Sequence, residues 1–565
     1  MAGRTKKLSS WISLIGGIVV VVLVNLVSQR VYERFDLTSD KRYSLSESTQ
    51  NLLDEIDDIV FVRVYLDGDL PPSYQKLKES TKDMLDEFRA LNPNLNYEFI
   101  NPNESPDEKA RVKVYQKLTK EGLQYTSIRF KDGDKDAEKI IFPGAIISYK
   151  GKERPIQLLK GIMGAPEEFV INSSIQQVEY ELASSISKLK ENQSSKIGFI
   201  EGHGEYEELE VADFAYALEN DYEVSRLPIN GKLTALKSYD AIIIAGPDSA
   251  YPEKDKYVID QFIMDGGKVL WLLDGAWASM DSLQAQNVTV SIPKSVNLED
   301  ALFKYGVRLN TNLVMDLQAL PIPVVTGMVG NQPRQELFPW FYFPLAFPVS
   351  DHPIVKNLDG IKTEFVSSID TIGRKGIKKS ILLTSSPYSK IQSTPSRISL
   401  NILREEPDKR RYTEGNIPFA VLLEGEFESV FNNRLPEEII DNSQFKFKSV
   451  SEATKMIVVG DADIAKNGVN KKTKEYFGLG FDKYTRKQYA NKQFLLNSMD
   501  YLLKESDLLD LRSKEFKMRL LDKQKIEAEK LTWQVLNTAG PILFILLFGF
   551  WQVWSRKRKY SKRSL

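Results

Sequence analysis

Two apolar runs bracket the chain. Residues 11–27 read WISLIGGIVVVVLVNLV, uncharged throughout and with Asn25 as the one strongly polar side chain. Residues 536–554 read LNTAGPILFILLFGFWQVW. A helix needs about 20 mostly apolar residues to cross a bilayer, and each run approaches that length. Arg4, Lys6 and Lys7 precede the first run, and Arg556, Lys557, Arg558, Lys559, Lys562 and Arg563 follow the second. The positive-inside rule then predicts two spans, both termini cytoplasmic, and the bulk of the chain on the far side. No small-x-small cleavage site follows the first run, which argues against a removed signal peptide. Pro541 is tolerated if a helix begins near it and marks a kink if a helix runs through it.

Between the runs, strand-like and helix-like stretches alternate. Residues 59–66 (IVFVRVYL) and 95–100 (LNYEFI) predict strands, with a helix between Pro71 and Asn92. A helix over 106–120 and alternating segments at 125–130, 139–142, 145–149 and 154–158 follow. That order is similar to a thioredoxin-like domain, without its CxxC. A long helix over 169–190 leads into near-continuous apolar strands at 196–200 (KIGFI), 241–245 (AIIIA), 268–273 (KVLWLL) and, far later, 456–459 (MIVV). A strand at 222–227 and helices at 208–219 and 253–264 lie among them. This alternation predicts a parallel sheet covered on both faces. Residues 307–451 read as more strand-rich and include LFPWFYFPLAFP (337–348), an aromatic run broken by prolines. Residues 504–530 mix both charges with recurring apolar positions, as a solvated helix with i,i+4 pairs does.

The expected fold is α/β, with a thioredoxin-like N-terminal domain and a doubly wound, flavodoxin/amidotransferase-like parallel-sheet domain. The expected boundaries are 1–30 for the cytoplasmic N-terminus and first transmembrane helix, and 31–165 for the thioredoxin-like domain. Residues 166–306 and 452–503 form the doubly wound domain, and 307–451 a strand-rich insertion or lobe. Residues 504–535 are a charged stalk, and 536–565 the second transmembrane helix and basic tail.

Composition narrows the chemistry. At 565 residues the chain exceeds the size at which one core stops growing. Its formal net charge of -1 gives no global field for nucleic acid, so no nucleic-acid partner is expected. Cysteine is absent, which excludes disulfides, thiolate metal sites and thiol nucleophiles. The only histidines are His203 and His352, too few for a multi-His metal site. The nearest approach to a phosphate loop, GRKGIKKS (373–380), has Lys378 where the sixth position requires Gly. Any ATP used by a complex containing this chain is therefore hydrolysed by another subunit.

Six polar residues follow directly on predicted strands: His203 and Glu205 in EGHGE (201–205), Asp248, Asp274, and Asp461 and Asp463 in VVGDADI (458–464). In an open α/β sheet the carboxyl ends of parallel strands form the ligand-binding edge, so these six are the candidate ligand-binding residues. Each also has a plainer reading as a cap or turn residue. Rim loops contribute little to a core, so His203 and Glu205 are expected to be replaceable without loss of folding. No catalytic residue, metal or cofactor is expected. Ala539, Gly540 and Gly549 in the second run permit close helix packing and are the candidate partner interface.

Several stretches together carry a family resemblance. They are the first run followed by RFDLTSDKRYSLSE (34–47), the EGHGE loop, YDAIIIAGP (239–247), GGKVLWLLD (266–274), VVGDADI and LRSKEFKMRLLD (511–522). Along essentially the whole chain they resemble the GldG family, gliding-motility-associated auxiliary or substrate-binding-like subunits of ABC transporters in Bacteroidota. The resemblance implies a separate ABC permease subunit, a separate cytoplasmic ATPase subunit, a periplasmic bulk on the bacterial inner membrane, and a role in gliding. The sheet order also resembles class I glutamine amidotransferase-like domains, whose Cys nucleophile this chain lacks. Three readings stay open. One is a non-catalytic accessory subunit whose partner is a periplasmic envelope protein or a glycan. Another is a mechanical adaptor that binds no small molecule. The third is a glycan or peptide hydrolase, against which the absent nucleophile motifs count.

Overall fold

A computed structural model describes residues 16–22, 45–132, 135–159, 167–190, 195–329, 332–356, 358–432, 434, 447–470, 473, 475–503 and 523–561. They fall in two compact units, one within 1–514 and one within 515–565.

The largest sheet of the first unit holds ten strands. Five run parallel, in the spatial order Glu223–Pro228, Lys196–Glu201, Ala241–Ala245, Lys268–Leu272, Thr454–Val459. Their apolar continuity has a direct cause, because alternate side chains enter two different cores. Ile243, Leu270, Leu272 and Ile457 face Phe214, Phe494 and Met499 from helices Ala212–Glu219 and Asn491–Leu503. Ile242, Ile244, Val269, Trp271 and Val458 face Ile259, Ile263, Leu302 and Tyr305 from helices Glu253–Met264 and Glu299–Tyr305. Each fully buried side chain of this size contributes roughly 1.5–3 kcal/mol relative to exposure. A sheet sandwiched in this way tolerates no polar face.

The strand-rich interval continues the same sheet. Pro418–Gly425 pairs antiparallel with Thr454–Val459, and Ile377–Thr384, Gln332–Pro348 and Ala319–Val329 follow outward, all antiparallel. The prolines of the aromatic run do not break it. Gln332–Pro348 is one 17-residue strand, with Pro339 opposite Pro321 and Pro344 opposite Ala319. Proline cannot donate to a ladder, and Pro339 and Pro344 fall where the strand meets the edge strand Ala319–Val329, whose register shifts between Ala319 and Pro321. Trp340, Phe341, Tyr342 and Phe343 are all buried, forming a third core with Phe365 and Tyr412.

The N-terminal part carries its own four-stranded sheet, in the order Leu95–Phe99, Val60–Val64, Gly144–Tyr149, Lys152–Gln157. The first pair is parallel and the rest antiparallel. Helix Glu167–Lys190 packs on it and continues into the core of the large sheet. A charge network ties the two sheets together. Arg154 binds both carboxylate oxygens of Asp221, while Lys188 Nζ lies 2.6 Å from Asp221 and 3.4 Å from Asp500.

The described residues of the second unit form one helix, Lys523–Ser561, with Pro541 inside it. Residues Trp533–Arg558 form the one helix among the described residues that is long and apolar enough to cross a membrane. Its 26 residues rise about 39 Å, enough for a hydrocarbon core of about 30 Å. Ile542 to Phe548, Phe550 and Trp551 are all exposed. Of the first apolar run only residues 16–22 are described, helical and with Ile18 to Val22 exposed. The remainder of that run, residues 34–44 of the family-like segment, and residues 504–522 lie outside the described residues.

Candidate functional site

The parallel strands end at one edge, and the chain order reverses there between Lys196–Glu201 and Ala241–Ala245. At such a reversal the outgoing loops diverge to opposite sides and leave a crevice. A cleft of about 270 Å³ opens at this edge. Gly204 and Gly246 give it room: their φ values are +78° and +66°, and a Cβ on either would press within 3.0 Å of Asp248 or Tyr206.

Four of the six expected rim residues line the cleft: Glu205, Asp248, Asp274 and Asp463. The other two turn inward. His203 is 5% exposed and Asp461 fully buried. The expectation that His203 and Glu205 sit loosely on a rim loop is therefore corrected. The His203 ring lies flat on Tyr251, with centroids 3.8 Å apart. Its Nε2 is 3.0 Å from Asp255 Oδ2 and its Nδ1 3.3 Å from Glu205 Oε1. The His203 backbone N–H also donates to Glu205 Oε2 at 2.7 Å, and the Tyr251 hydroxyl donates to Glu205 Oε1. Burial opposes charge on the imidazole, but Glu205 and then Asp255 outweigh it and hold its pKa above the ordinary value. With a carboxylate at each nitrogen, the ring is an imidazolium strut. His352 lies elsewhere, and burial pushes its pKa down to about 4.

The floor of the cleft is a group of carboxyls. Asp461 Oδ1 accepts the Asp463 N–H and Oδ2 the Glu364 N–H, both at 2.8 Å. Asp274 Oδ1 accepts the Ala462 N–H at 2.8 Å, and the Tyr206 hydroxyl donates to Asp463 at 2.8 Å. Burial, then the charge of Asp463 and Asp274, raises Asp461 well above the carboxylate range. Burial and the charges of Glu364 and Asp274 bring Asp463 to about 7. A carboxylic acid at this floor can donate a hydrogen bond as well as accept one.

Lysines pair with the remaining carboxylates. Lys294 Nζ is 3.1 Å from Asp274 and 3.7 Å from Asp248. Lys466 reaches Glu210 at 3.4 Å and Asp463 at 3.6 Å, and Lys362 pairs with Glu364 at 2.8 Å. Trp277, 43% exposed, stands at the mouth. Tyr206 directly follows EGHGE and was within reach of a sequence reading. Lys466 follows Asp463 by three residues, whereas Asp255, Lys294 and Glu364 come from other elements and carry no local signal. Among the described residues, no group of three or more His, Asp or Glu is arranged to hold a metal ion. Gly540 and Gly549 have no neighbour that an added Cβ would meet within 4 Å, and Ala539 is exposed.

Comparisons with known proteins cover most of the chain. A protein of Borreliella burgdorferi (strain ATCC 35210 / DSM 4680 / CIP 102532 / B31), itself described as uncharacterized, is 23% identical over 539 residues. That alignment spans 93% of this chain and 94% of the relative. Among solved structures, the mmIFT52 N-terminal domain matches at 13% identity and a TM-score of 0.31, covering 55% of this chain and 98% of its own. A putative ThuA-like protein from Parabacteroides merdae ATCC 43184 matches at 11% identity and a TM-score of 0.26, covering 55% and 91%. Residues 39–148 match a domain of unknown function, DUF7088. Residues 194–498, which carry the large sheet and its cleft, match the family of ABC-type transport auxiliary proteins described as an ABC-type uncharacterized transport system, and the chain belongs to that family.

Proposed function

We propose that the chain is a non-catalytic accessory subunit of an ABC transporter complex, presenting the strand-edge cleft to a neutral, polar, hydroxyl-rich ligand such as an envelope glycan. The observation that carries this is the pairing of carboxylates with cations across the cleft. Asp274, Glu210 and Glu364 each sit beside a lysine, and Glu205 beside His203. Such a surface offers closely spaced donors and acceptors, and Trp277 adds a flat apolar platform. The non-catalytic reading is supported by His203, whose two ring nitrogens are both engaged by carboxylates.

Two bilayer spans, a periplasmic bulk, and a separate permease and ATPase complete the proposal. Helix Trp533–Arg558 and the apolar run at 11–27 support the spans. A role in gliding is the finer reading and rests on the resemblance of residues 34–47 and 511–522. The fine fold reading, thioredoxin-like followed by flavodoxin-like, is supported by the two strand orders. The mechanical-adaptor alternative is favoured by the Arg154–Asp221–Lys188–Asp500 network, which could transmit motion between the sheets.

Purification from native membranes, with identification of copurifying proteins and bound small molecules, tests the proposal. Asp274→Asn with Lys294→Met is expected to keep the partners and lose the ligand. Wild-type protein that carries its partners but never a small molecule would favour the adaptor. Truncation at Thr532 is expected to leave a folded protein that no longer copurifies with the permease. Retained copurification would reduce Ala539, Gly540 and Gly549 to a tether.

A further inference from the structure

The near-zero net charge of the chain conceals a local excess. Residues 471–492 contain seven Lys or Arg and two acidic residues, interleaved with five aromatics. The described part of this stretch forms two short hairpins. One pairs Val469–Asn470 with Glu475–Tyr476, the other Phe481–Asp482 with Lys487–Gln488.

Their side chains are arranged in an unusual way. Of the two acids, Asp482 is buried and turned to its own turn, accepting from the Thr485 N–H at 2.9 Å and from the Thr485 hydroxyl. It is not available to neutralise the cations outside. The tip then exposes Lys483, Tyr484, Arg486 and Lys487, with Lys483 Nζ 4.9 Å from the Tyr484 ring centroid. The neighbouring hairpin exposes Tyr476 and Phe477. These rings are propped outward by stacking, Tyr476 on Tyr216 at 6.2 Å and Phe477 on Phe481 at 6.0 Å. Exposed rings beside exposed cations gain little in water. At a headgroup layer the rings find an amphipathic medium and the cations find phosphate.

We propose that these paired hairpins form a surface that rests on an anionic lipid bilayer. The choice of lipid follows from charge complementarity and from chain connectivity. The proposal rests on reading Trp533–Arg558 as a bilayer span, which ties the chain that carries the hairpins to a membrane. Tethering makes the contact intramolecular, so a surface of modest intrinsic affinity suffices. Each exposed cation at an anionic surface is worth about fivefold in partitioning.

The test uses the full chain. Because the sequence has no cysteine, Tyr484→Cys accepts a single nitrobenzoxadiazole label, which restores an aromatic ring at that site. The labelled protein is reconstituted into phosphatidylglycerol or phosphatidylcholine vesicles and floated. In the floated fraction the label is expected to emit to the blue and several-fold more brightly in phosphatidylglycerol. That gain should vanish with Lys483→Glu, Arg486→Glu and Lys487→Glu combined. Protein that floats with an equally water-exposed label in both lipids overturns the proposal while leaving the span intact. Shielding that arises only when the permease is co-reconstituted also overturns it, in favour of a protein contact. Protein that fails to float overturns the span reading, and this one with it.

Discussion

Replacing His203 with glutamine removes a cation from between two buried carboxylates. Glu205 and Asp255 have side chains 2% and 7% exposed, and each lies within 3.3 Å of a ring nitrogen. What remains to compensate them is the Tyr251 hydroxyl and the backbone N–H of residue 203 on Glu205, and the Gly231 N–H on Asp255. Breaking a buried ion pair from one side costs about 3–5 kcal/mol, and hydrogen bonding by the glutamine amide keeps the expected loss near the lower figure. The pH dependence supplies a second check. Glu205 and Asp255 raise the folded pKa of His203 above its unfolded value. The stabilisation is therefore fully present below the unfolded pKa of about 6.5 and is lost as pH rises through the folded value. Wild-type stability should accordingly decline between pH 6 and pH 9 more steeply than that of the variant. Pulse proteolysis across a urea series reads both quantities. A loss of about 3 kcal/mol corresponds to roughly 1 M in urea midpoint for a chain whose m-value lies at or above the upper end for small domains. Equal midpoints at pH 6, or a wild-type advantage of the same size at pH 6 and pH 9, would refute the imidazolium strut.

The carboxyl floor should respond in the opposite sense to neutralisation. Asp463→Asn is expected to raise the thermal midpoint at pH 8, where the half-buried acid is otherwise ionised, and to lose that advantage progressively as pH falls through about 7 toward the unfolded value of about 4. A variant no more stable than wild type at pH 8 would count against the raised pKa. Gly204→Ala forces a side chain onto φ +78° and puts its Cβ 2.9 Å from Asp248 Cβ, so a loss of about 2 kcal/mol is expected in the same urea assay. Arg154→Met removes both bonds to Asp221 but leaves Lys188 in place. It should speed amide exchange along Lys152–Gln157 with little change in the large parallel sheet. Single cysteines at the exposed positions Glu47 and Glu452 are expected to react with an impermeant thiol reagent in spheroplasts, whereas cysteines at Thr5 and Ser561 are not. Labelling at either terminus would overturn the two-span topology.

What the sequence alone determined is whatever repeats locally. Ala241–Ala245 and Lys268–Leu272 are legible as central parallel strands because both of their faces are buried, which removes the polar alternate position. The ends of those strands are equally legible, and with them Glu205, Asp248, Asp274 and Asp463 as cleft residues. The aromatic run at 337–348 signalled burial but not its form. Its prolines argued for interruption, but one strand runs on through Pro339 and Pro344, past a register shift in its edge partner. Nor does any local period announce that Pro418–Gly425 joins the edge of the parallel sheet in the opposite direction. The electrostatics of the site belong wholly to the tertiary structure. His203 becomes a buried cation because Asp255, 52 residues on, reaches its Nε2, and Asp461 is held under the floor by the N–H of Glu364, 97 residues away. Periodicity tells which face of an element is buried, since that depends on neighbours three, four or two positions off. Which charge meets which depends on the path the chain takes between distant elements, and no short-range pattern records that path.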